Sequence, residues 1–378
     1  MPTGTRFVTR LRPARCQAPP QARARGITHL TAPEVRIDQL TGLRVILAPG
    51  RAERPDAFTP AVAVSAPDAA ERCPFCEGRE DRTPPEVWAD RPGGGDADTP
   101  GWRVRSVPNL YPVLGGDASA PETGGGFSSA ADPLADSRRT AEVGLFGSQP
   151  AEGSHEVIVN TPRHETSMSA LSGAELAVAV EGWRERMRAL AGESAFVHLI
   201  VNEGPAAGAS LEHTHAQLYG LRFVPAEVAR ERERSVAHHQ RTMGGHLLGD
   251  VAIEEVRKRE RMVAIDDEAI LICPWASRSP FELRIVPRNP GPSFEAEGQG
   301  GAAMVGTALR ALAGVFGSLP QFNLWVRTAP SGADEFCWHI DIVPRLTIRA
   351  GFELGTGVDI STYAPERAAS DLSEALGA

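Results

Sequence analysis

Apolar residues in the middle of the chain follow strand-like and helix-like periodicities, which predict a strand, a helix and two further strands. Residues 156–160 are an apolar run of strand length, and Ser172 with Glu175 has the spacing of a helix capping box. Residues 196–201 are the next predicted strand, and the last strand opens with His213-Thr214-His215. The apolar face of the predicted helix carries Leu176, Val180, Trp183, Met187 and Leu190.

The same order of elements recurs near the carboxyl end. Residues 283–286 lead to Pro287, a helix-spaced apolar face follows, and residues 322–326 precede His339-Ile340-Asp341. Pro162 and Pro287 are 125 residues apart, and His213 and His339 are 126 residues apart. Matching offsets indicate a duplication. The sequence therefore predicts an α+β fold, a duplicated unit whose antiparallel strands could join into one sheet with helices packed on its faces. The second helical face carries Val305, Leu309, Leu312 and Phe316.

The repeat divides the chain into two predicted domains, 34–224 and 225–378. Residues 93–100 and 115–137 are rich in Gly, Ala, Ser and Asp without an apolar period, so we expect mobile insertions there. Residues 1–33 hold six arginines, and the first acidic residue is Glu34. We expect a disordered amino-terminal extension, although its composition also resembles a transit peptide.

Composition excludes several classes of protein. A hydrophobic content of 42% among 378 residues is typical of a folded chain, and no run of eighteen apolar residues predicts a membrane span. The net charge of −9 argues against a protein that coats nucleic acid. Five cysteines, an odd number without a preceding signal-peptide core, predict a reduced cytoplasmic protein.

The strand that opens with His213 is the strongest candidate for chemistry. Alternate residues of a strand share a face, so His213, His215 and Gln217 would lie side by side. An isolated His-x-His is commonly a pair of polar side chains exposed on a surface strand. Here residues 202–210, which contain two glycines and several small side chains, precede the strand and would let backbone amides approach a phosphate.

These motifs resemble the histidine-triad superfamily, specifically its transferase branch, the galactose-1-phosphate uridylyltransferases and related phosphorylases. The hydrolase branch has a third histidine where this chain has Gln217. The resemblance runs from about Arg36 through 41–42, 48–55, 73–76, 107–109, the histidine strand and 350–353.

The resemblance implies that His215 is a nucleophile that carries the nucleotidyl group while sugar 1-phosphate leaves. A neutral imidazole suits this role because it is nucleophilic at physiological pH. Gln217 would stabilise the phosphoryl oxygens. The substrate contacts that the resemblance and the small-residue loop imply are Arg51, Arg54, Asn109, Asn202, Gly208, Ala209, Ser210, Phe352 and Glu353.

Cys73 and Cys76 have the spacing of zinc ligands, and the other cysteines do not form the second pair of a zinc ribbon. The remaining ligands must then be histidines, unless the two cysteines are reduced, buried thiols. The resemblance implies His164 and His213, in one structural Zn²⁺ site per subunit. Four further histidines lack such a context and are predicted to be surface or packing residues: His155, His198, His238 and His239.

Three departures from the family pattern limit the prediction. Glu231 and His339 match ligands of a second metal site found in some members, but Asp341 replaces a histidine, so we expect no second metal. Leu110 replaces the aspartate that follows Asn109 in the base-recognition pair. The segment after 352–353 also differs from the better-known uridylyltransferases.

The predicted function is nucleotidyl exchange between a nucleotide sugar and a hexose 1-phosphate, with UDP-glucose and galactose 1-phosphate in galactose metabolism as the first reading. The alternative is an ADP-sugar or dinucleoside polyphosphate phosphorylase with the same nucleophile. A zinc-binding module without enzymatic activity is the competing class. The resemblance also implies a homodimer, in which Phe352 and Glu353 serve the other subunit's sugar.

Overall fold

The structure is a computed structural model that describes residues 32–50, 68–115, 150–296, 298 and 300–377. The predicted amino-terminal extension up to residue 31 and the predicted insertion from residue 116 to 137 lie outside the described residues. Arg51 and Arg54 lie outside them as well.

Strands and helices alternate along most of the described chain. The strands are β1 (Glu34–Ile37), β2 (Arg44–Leu47), β3 (Trp88–Asp90), β4 (Val104–Pro108), β5 (Gly153–Val159), β6 (Phe196–Glu203), β7 (His215–Leu221), β8 (Met262–Ile265), β9 (Ala269–Ile272), β10 (Leu283–Pro287), β11 (Phe322–Arg327), β12 (His339–Pro344) and β13 (Asp359–Ser361). The α-helices are α1 (Ala69–Arg72), α2 (Gly173–Ala191), α3 (Ala226–Thr242), α4 (Leu247–Lys258), α5 (Ala302–Phe316), α6 (Gly351–Thr356) and α7 (Pro365–Gly377).

Ten strands form one sheet in the order β3-β4-β5-β7-β6-β11-β12-β10-β9-β8, and every neighbouring pair in it is antiparallel. The two halves meet where β6 pairs with β11, from Phe322 opposite Glu203 to Val326 opposite Leu199. Each half has the order strand, helix, strand, strand: β5, α2, β6, β7 and β10, α5, β11, β12. The predicted α+β class with one joined antiparallel sheet is therefore confirmed, while the division at residue 224 stays a prediction.

Helices α2 and α5 cover one face of this sheet. Ser172 caps α2 as predicted, because its side chain accepts from the Glu175 amide and the Glu175 carboxylate accepts from the Ser172 amide. Leu199 and Leu218 point toward these helices and are fully buried. Burial of each such leucine stabilises the fold by roughly 2 kcal/mol. The helix-covered face of the sheet therefore contains the main hydrophobic core.

The opposite face is covered by different elements in the two halves. In the second half α4 packs Leu248 and Ala252 against Ile272 and Val286 of the sheet. In the first half the segment with Phe75 packs against Val157 and Val159 of β5. Beyond His215, the side chains of β7 on this face remain half-buried.

A small sheet joins the two ends of the described chain. Strand β2 pairs antiparallel with β1 and parallel with β13. Arg36 of β1 bonds Glu366 of α7 at 2.8 Å, so the carboxyl-terminal helix is tied to the first strand. In the described ranges no helix combines the length and the apolar character needed to cross a membrane.

Candidate active site

Strand β7 carries the predicted histidine motif with a strict alternation of faces. Ala216 and Leu218 are fully buried against the helical core, whereas His215 and Gln217 face the other side. Val159 of β5 lies opposite His215. The strand begins at His215. His213 precedes the strand, with its side chain turned toward the cysteines.

His215 is held by its own backbone and by an aromatic ring. Its Nδ1 lies 2.7 Å from the carbonyl oxygen of His213, so Nδ1–H donates to that carbonyl. The Phe75 ring meets the imidazole edge-on at 5.3 Å between centroids. Burial lowers the pKa of His215, while the bond to the His213 carbonyl acts in the opposite direction. With hydrogen fixed on Nδ1, the neutral ring presents the Nε2 lone pair, as a nucleophile requires.

The small-residue loop joins β6 to β7 and therefore lies at the end of β7 that carries His215. Gly204 and Gly208 adopt positive φ angles of 85° and 89°, which glycine tolerates without strain. The Gly208 amide donates to Pro205 at 3.0 Å and the Ala209 amide to Gly204 at 3.2 Å. These two amides are thus used within the loop, and Ser210 is its exposed polar end.

Asn202 immediately precedes this loop. The β6–β7 register, with Val201 opposite Ala216, places Asn202 next in line across from His215. The Asn323 amide of β11 donates to Asn202 Oδ1 at 2.8 Å and also to the Ala207 carbonyl at 2.8 Å. A residue of the second half therefore holds both the predicted asparagine and the loop.

Two cysteines and two histidines converge beside His215. The ligand atoms of Cys73, Cys76, His164 and His213 all lie within 4.8 Å of one another. His213 Nδ1 is 3.4 Å from Cys73 Sγ and 3.7 Å from Cys76 Sγ, and His164 Nδ1 is 3.4 Å from Cys76 Sγ. A tetrahedral Zn²⁺ with typical bond lengths requires S···N separations of about 3.5 Å. The donor set and its spacing therefore fit a zinc ion.

The outer contacts of the cluster also fit a metal site. His213 Nε2–H donates to the Thr161 carbonyl at 2.9 Å, which leaves Nδ1 free as the ligand atom. Burial and, to a smaller extent, the neighbouring Cys73 raise the pKa of the Cys76 thiol to about 11. A bound cation would offset both effects, since thiolates are the form that binds metal. The cluster could thus hold a metal ion.

His155, which was predicted to be a surface or packing residue, is buried and contacts Gln217 of the candidate site. His155 is buried, lies on β5 opposite Tyr219, and places its Nε2 3.0 Å from Gln217 Oε1. His155 lies two residues before Val157, which pairs with Gln217, so the two side chains share a face of the sheet. This spacing was the signal that could have predicted their contact. That signal needs the β5–β7 register, which local periodicity does not supply. His198, by contrast, stacks on Phe196 as a packing residue would.

Asn109 is engaged with its own loop. Its Oδ1 accepts from the Tyr111 amide at 2.8 Å, which is an Asx turn at the end of β4. Leu110 and Tyr111 are exposed, at 62% and 83%. An apolar, exposed surface therefore stands where the family pattern has a carboxylate.

Phe352 and Glu353 lie on the short helix α6, which packs against β13 of the small sheet. Glu353 accepts from the Ala350 amide at 2.9 Å, and Phe352 is 47% exposed. Within the described chain no hydrogen bond or ring contact joins these two side chains to β7. They stay predicted sugar contacts.

The second half carries ion pairs at the equivalent strand. His339 Nε2 is 3.4 Å from Asp341 Oδ2, and His339 Nδ1 is 3.7 Å from Glu231 Oε1. Arg284 Nε bonds Asp341 at 2.6 Å, and Arg327 Nε lies 3.5 Å from Glu231. Arg284 lowers the pKa of Asp341 despite its burial. The guanidinium groups of Arg284 and Arg327 thus supply the positive charge beside Asp341 and Glu231.

Residues 127–225 match the model of the family described as galactose-1-phosphate uridyl transferase, N-terminal domain. The chain is 27% identical to ADP-glucose phosphorylase of Arabidopsis thaliana, with 91% of this chain and 93% of that protein covered. It is 28% identical to galactose-1-phosphate uridylyltransferase of Cryptococcus neoformans, with 90% of each covered.

Among solved structures, ADP-glucose phosphorylase from Arabidopsis thaliana with bound ADP-glucose superposes with a TM-score of 0.70 at 25% identity, covering 91% of this chain and 99% of that one. A uridylyltransferase structure shares the fold, with a TM-score of 0.65 at 23% identity and coverage of 91% and 98%. The resemblance drawn from the motifs is therefore confirmed: this chain is similar to the galactose-1-phosphate uridylyltransferases and their phosphorylase relatives, and it is a nucleotidyltransferase enzyme.

Proposed function

We propose that this chain transfers a nucleoside monophosphate from a nucleotide sugar to a phosphate-bearing acceptor through a covalent bond to His215. The observation that carries the proposal is the fixed imidazole, whose Nδ1–H is bound to the His213 carbonyl at 2.7 Å. His215 is buried on the sheet face that also carries Asn202 and Gln217, at the end of β7 next to the small-residue loop. No general base is needed, because Nδ1 keeps its hydrogen throughout.

The two half-reactions balance without an external proton. His215 Nε2 attacks the α-phosphorus, so that a P–N bond forms as the P–O bond to the departing sugar 1-phosphate breaks. An acceptor phosphate oxygen then attacks the same phosphorus, and the electrons of the P–N bond return to the ring. The amides of Gln217 and Asn202 donate to the non-bridging oxygens as negative charge shifts there.

Further phosphate contacts are proposed from the family pattern and the loop. Arg51 and Arg54 would bind phosphate oxygens bidentately, as guanidinium forks do. Ser210 is the exposed polar residue of the loop and would contact the same group. Gly208 and Ala209 would then shape the loop, because their amides already donate within it.

We propose that Cys73, Cys76, His164 and His213 hold one structural Zn²⁺ per subunit. When bound, the metal supplies a fixed anchor and no open coordination position for substrate. His213 then holds the backbone carbonyl to which His215 donates. The described cysteines are free thiols, which suits the proposed reducing cytoplasm.

For the substrates we retain two pairs. UDP-glucose with galactose 1-phosphate, a reaction of galactose metabolism, is the reading that the family pattern favours. ADP-glucose with inorganic phosphate is the second candidate, favoured by Leu110: an exposed apolar side chain replaces the carboxylate, and Asn109 is bound in its own turn. The name of the relative that matches 91% of the chain agrees with this candidate.

The proposed homodimer would complete the site. Phe352 is 47% exposed on the surface helix α6, and it shows no ring contact with β7 in the described chain. Contact with the sugar bound at another subunit would use both Phe352 and Glu353. Light scattering at assay concentration tests this assembly, and an active monomer would contradict it.

The deciding experiment uses UDP-glucose and ADP-glucose, each labelled at the α-phosphorus. Acid-labile labelled protein should form with one donor, and addition of galactose 1-phosphate or inorganic phosphate should discharge it. Initial-velocity lines should be parallel, because the first product leaves before the acceptor binds. Absence of labelled protein with both donors, or label on another residue than His215, would refute the proposal.

A further inference from the structure

The carbonyl oxygen of Gln217 is bound by two side chains of the same sheet face. Tyr219 O–H donates to Gln217 Oε1 at 2.9 Å, and His155 Nε2 lies 3.0 Å from the same oxygen. The His155 and Tyr219 rings stack, with centroids 4.2 Å apart and an interplanar angle of 22°. The two donors therefore support each other as well as the amide.

The Val113 and Gln217 contacts of His155 place its hydrogen on Nε2. The Val113 amide donates to His155 Nδ1 at 3.3 Å, so Nδ1 is an acceptor in that bond. In the neutral ring the hydrogen is then on Nε2, and Gln217 Oε1 is its acceptor. Burial lowers the pKa of His155, which favours the neutral ring. The Asn109 amide nitrogen, 3.0 Å from Nε2, is also a donor, so this one contact opposes that tautomer.

This hydrogen-bond pattern sets the orientation of the Gln217 amide. A glutamine side chain can otherwise rotate its terminal torsion between two broad orientations that exchange oxygen and nitrogen. With Oε1 directed at the row of His155 and Tyr219, the NH₂ group is left on the side of His215, two residues away along β7. No acceptor for that NH₂ lies within the described part of the chain.

We propose that His155 and Tyr219 are positioning residues that hold the Gln217 amide with its N–H groups toward the transferred phosphoryl group. The inference rests on the proposed function, since it needs a phosphoryl group beside His215. Without the two donors, the amide would present its oxygen to the phosphoryl oxygens part of the time, and the transition state would lose a hydrogen bond and meet a repulsive dipole.

The test measures formation of nucleotidyl-protein in rapid-quench reactions with UDP-glucose and with ADP-glucose. Tyr219→Phe removes one donor and keeps the ring stack, and His155→Phe removes the other. We expect each change to slow labelling about fivefold to tenfold, the size of one hydrogen bond, with little change in donor KM. Tyr363→Phe is the matched control, because it removes a tyrosine hydroxyl bound to Asp371 in the core beside Phe281.

Two further readouts separate positioning from a structural role. In a Gln217→Ala background, Tyr219→Phe should change the labelling rate less than twofold, because the group it positions is gone. Donors with sulfur in place of one α-phosphoryl oxygen exist as two diastereomers, and the wild-type enzyme should be labelled by them at different rates. The ratio of these two labelling rates should be closer to one in Tyr219→Phe, His155→Phe and Gln217→Ala than in the wild type.

The outcomes are distinguishable from failure of the proposed function. If wild-type protein takes no label from either donor, the function itself is wrong. If wild-type protein is labelled but Tyr219→Phe and His155→Phe retain its rate and diastereomer ratio, the positioning role is overturned. The same conclusion follows if their effects persist unchanged in the Gln217→Ala background, or if Tyr363→Phe slows labelling equally while all variants remain folded.

Discussion

Strands β7 and β12 occupy equivalent places in the two halves of the sheet, yet the same face carries different chemistry. Around β7 the polar groups are imidazoles and amides, and within the described residues the hydrogen bond of His215 is from Nδ1–H to a carbonyl. Around β12 they are charged and paired: Arg284 binds Asp341, and Arg327 lies beside Glu231. Helix α3 supplies Glu231 and packs Val228 and Ala229 against Phe196 of β6, while α4 covers the second half.

The difference teaches how a duplicated unit separates chemistry from stability. A nucleophile must be neutral, and burial lowers the pKa of His215 in the first half. A covered face cannot leave a charge unpaired, because an isolated buried ion costs several kcal/mol. The second half pairs Asp341 with Arg284, and its Asn323 lies at the shared edge, where it holds Asn202.

The comparison is tested most strongly by equivalent substitutions in the two strands. His215→Asn should reduce nucleotidyl-protein formation by roughly a thousandfold or more, because no other group can carry the phosphoryl group. Zinc content should remain unchanged. Asp341→Asn, the equivalent site in β12, should leave labelling per folded molecule within about twofold, since that strand does not face the substrate. Comparable loss of labelling in both variants would contradict the assignment.

Removal of a metal ligand should affect folding more than any change in the second half. We expect Cys73→Ser to lose the zinc and to lower the free energy of unfolding by more than about 4 kcal/mol, because a closed metal site stabilises the fold directly. Elemental analysis and urea unfolding measure both effects. Cys273→Ser, at a buried cysteine of the second half, serves as control and should retain the zinc. A folded, active, zinc-free protein would exclude the site.

Breaking the ion pair in the second half should change the pH dependence of stability. Arg284→Met leaves the buried Asp341 without its guanidinium partner and with His339 beside it, and we expect a loss of about 3–5 kcal/mol at pH 7. In the wild type Arg284 depresses the pKa of Asp341, so the pair stabilises the fold above the unfolded pKa of about 3.9 and this contribution is lost only as pH falls further.

In Arg284→Met, burial should instead raise the pKa of Asp341, so the variant should become less stable as pH rises from 4 to 7. Urea unfolding across this range measures the slope. A variant whose stability follows the wild-type pH profile would show that Asp341 has another partner. Labelling of the folded fraction should be retained.

The smallest expected effect concerns the contact between the halves. Asn323→Leu removes the donor to Asn202 and to the Ala207 carbonyl, and we expect transfer to slow about fivefold to tenfold with zinc retained. Asn289→Ala, an exposed asparagine of the same half, should leave the rate unchanged. Equal rates for Asn323→Leu and wild type would mean that the second half supports the site only by packing.

Local periodicity was sufficient for the elements and for the repeat. The helical face with Trp183 and Met187, the capping box of α2 and the strand of His215 all follow from spacings within about twenty residues. The joining of the two halves into one sheet was anticipated from the duplication, because a half-sheet leaves an edge that the other half can pair, whereas β3, β4, β8 and β9 lie outside the repeat. The metal cluster could be anticipated from Cys-x-x-Cys spacing combined with the family pattern.

Tertiary structure alone decided which side chains serve the predicted residues. His155 lies 62 residues from Gln217, and Asn323 lies 121 residues from Asn202, so each contact depends on the strand order and register. A one-residue change of register would turn either side chain to the other face. The sequence by itself thus predicted a nucleophile, the duplication and the spacing of the metal-ligand candidates, and the last of these is met by the cluster of two cysteines and two histidines. Only long-range strand pairing decided how the two amides are held, because hydrogen-bond partners across a sheet leave no local periodicity in the chain.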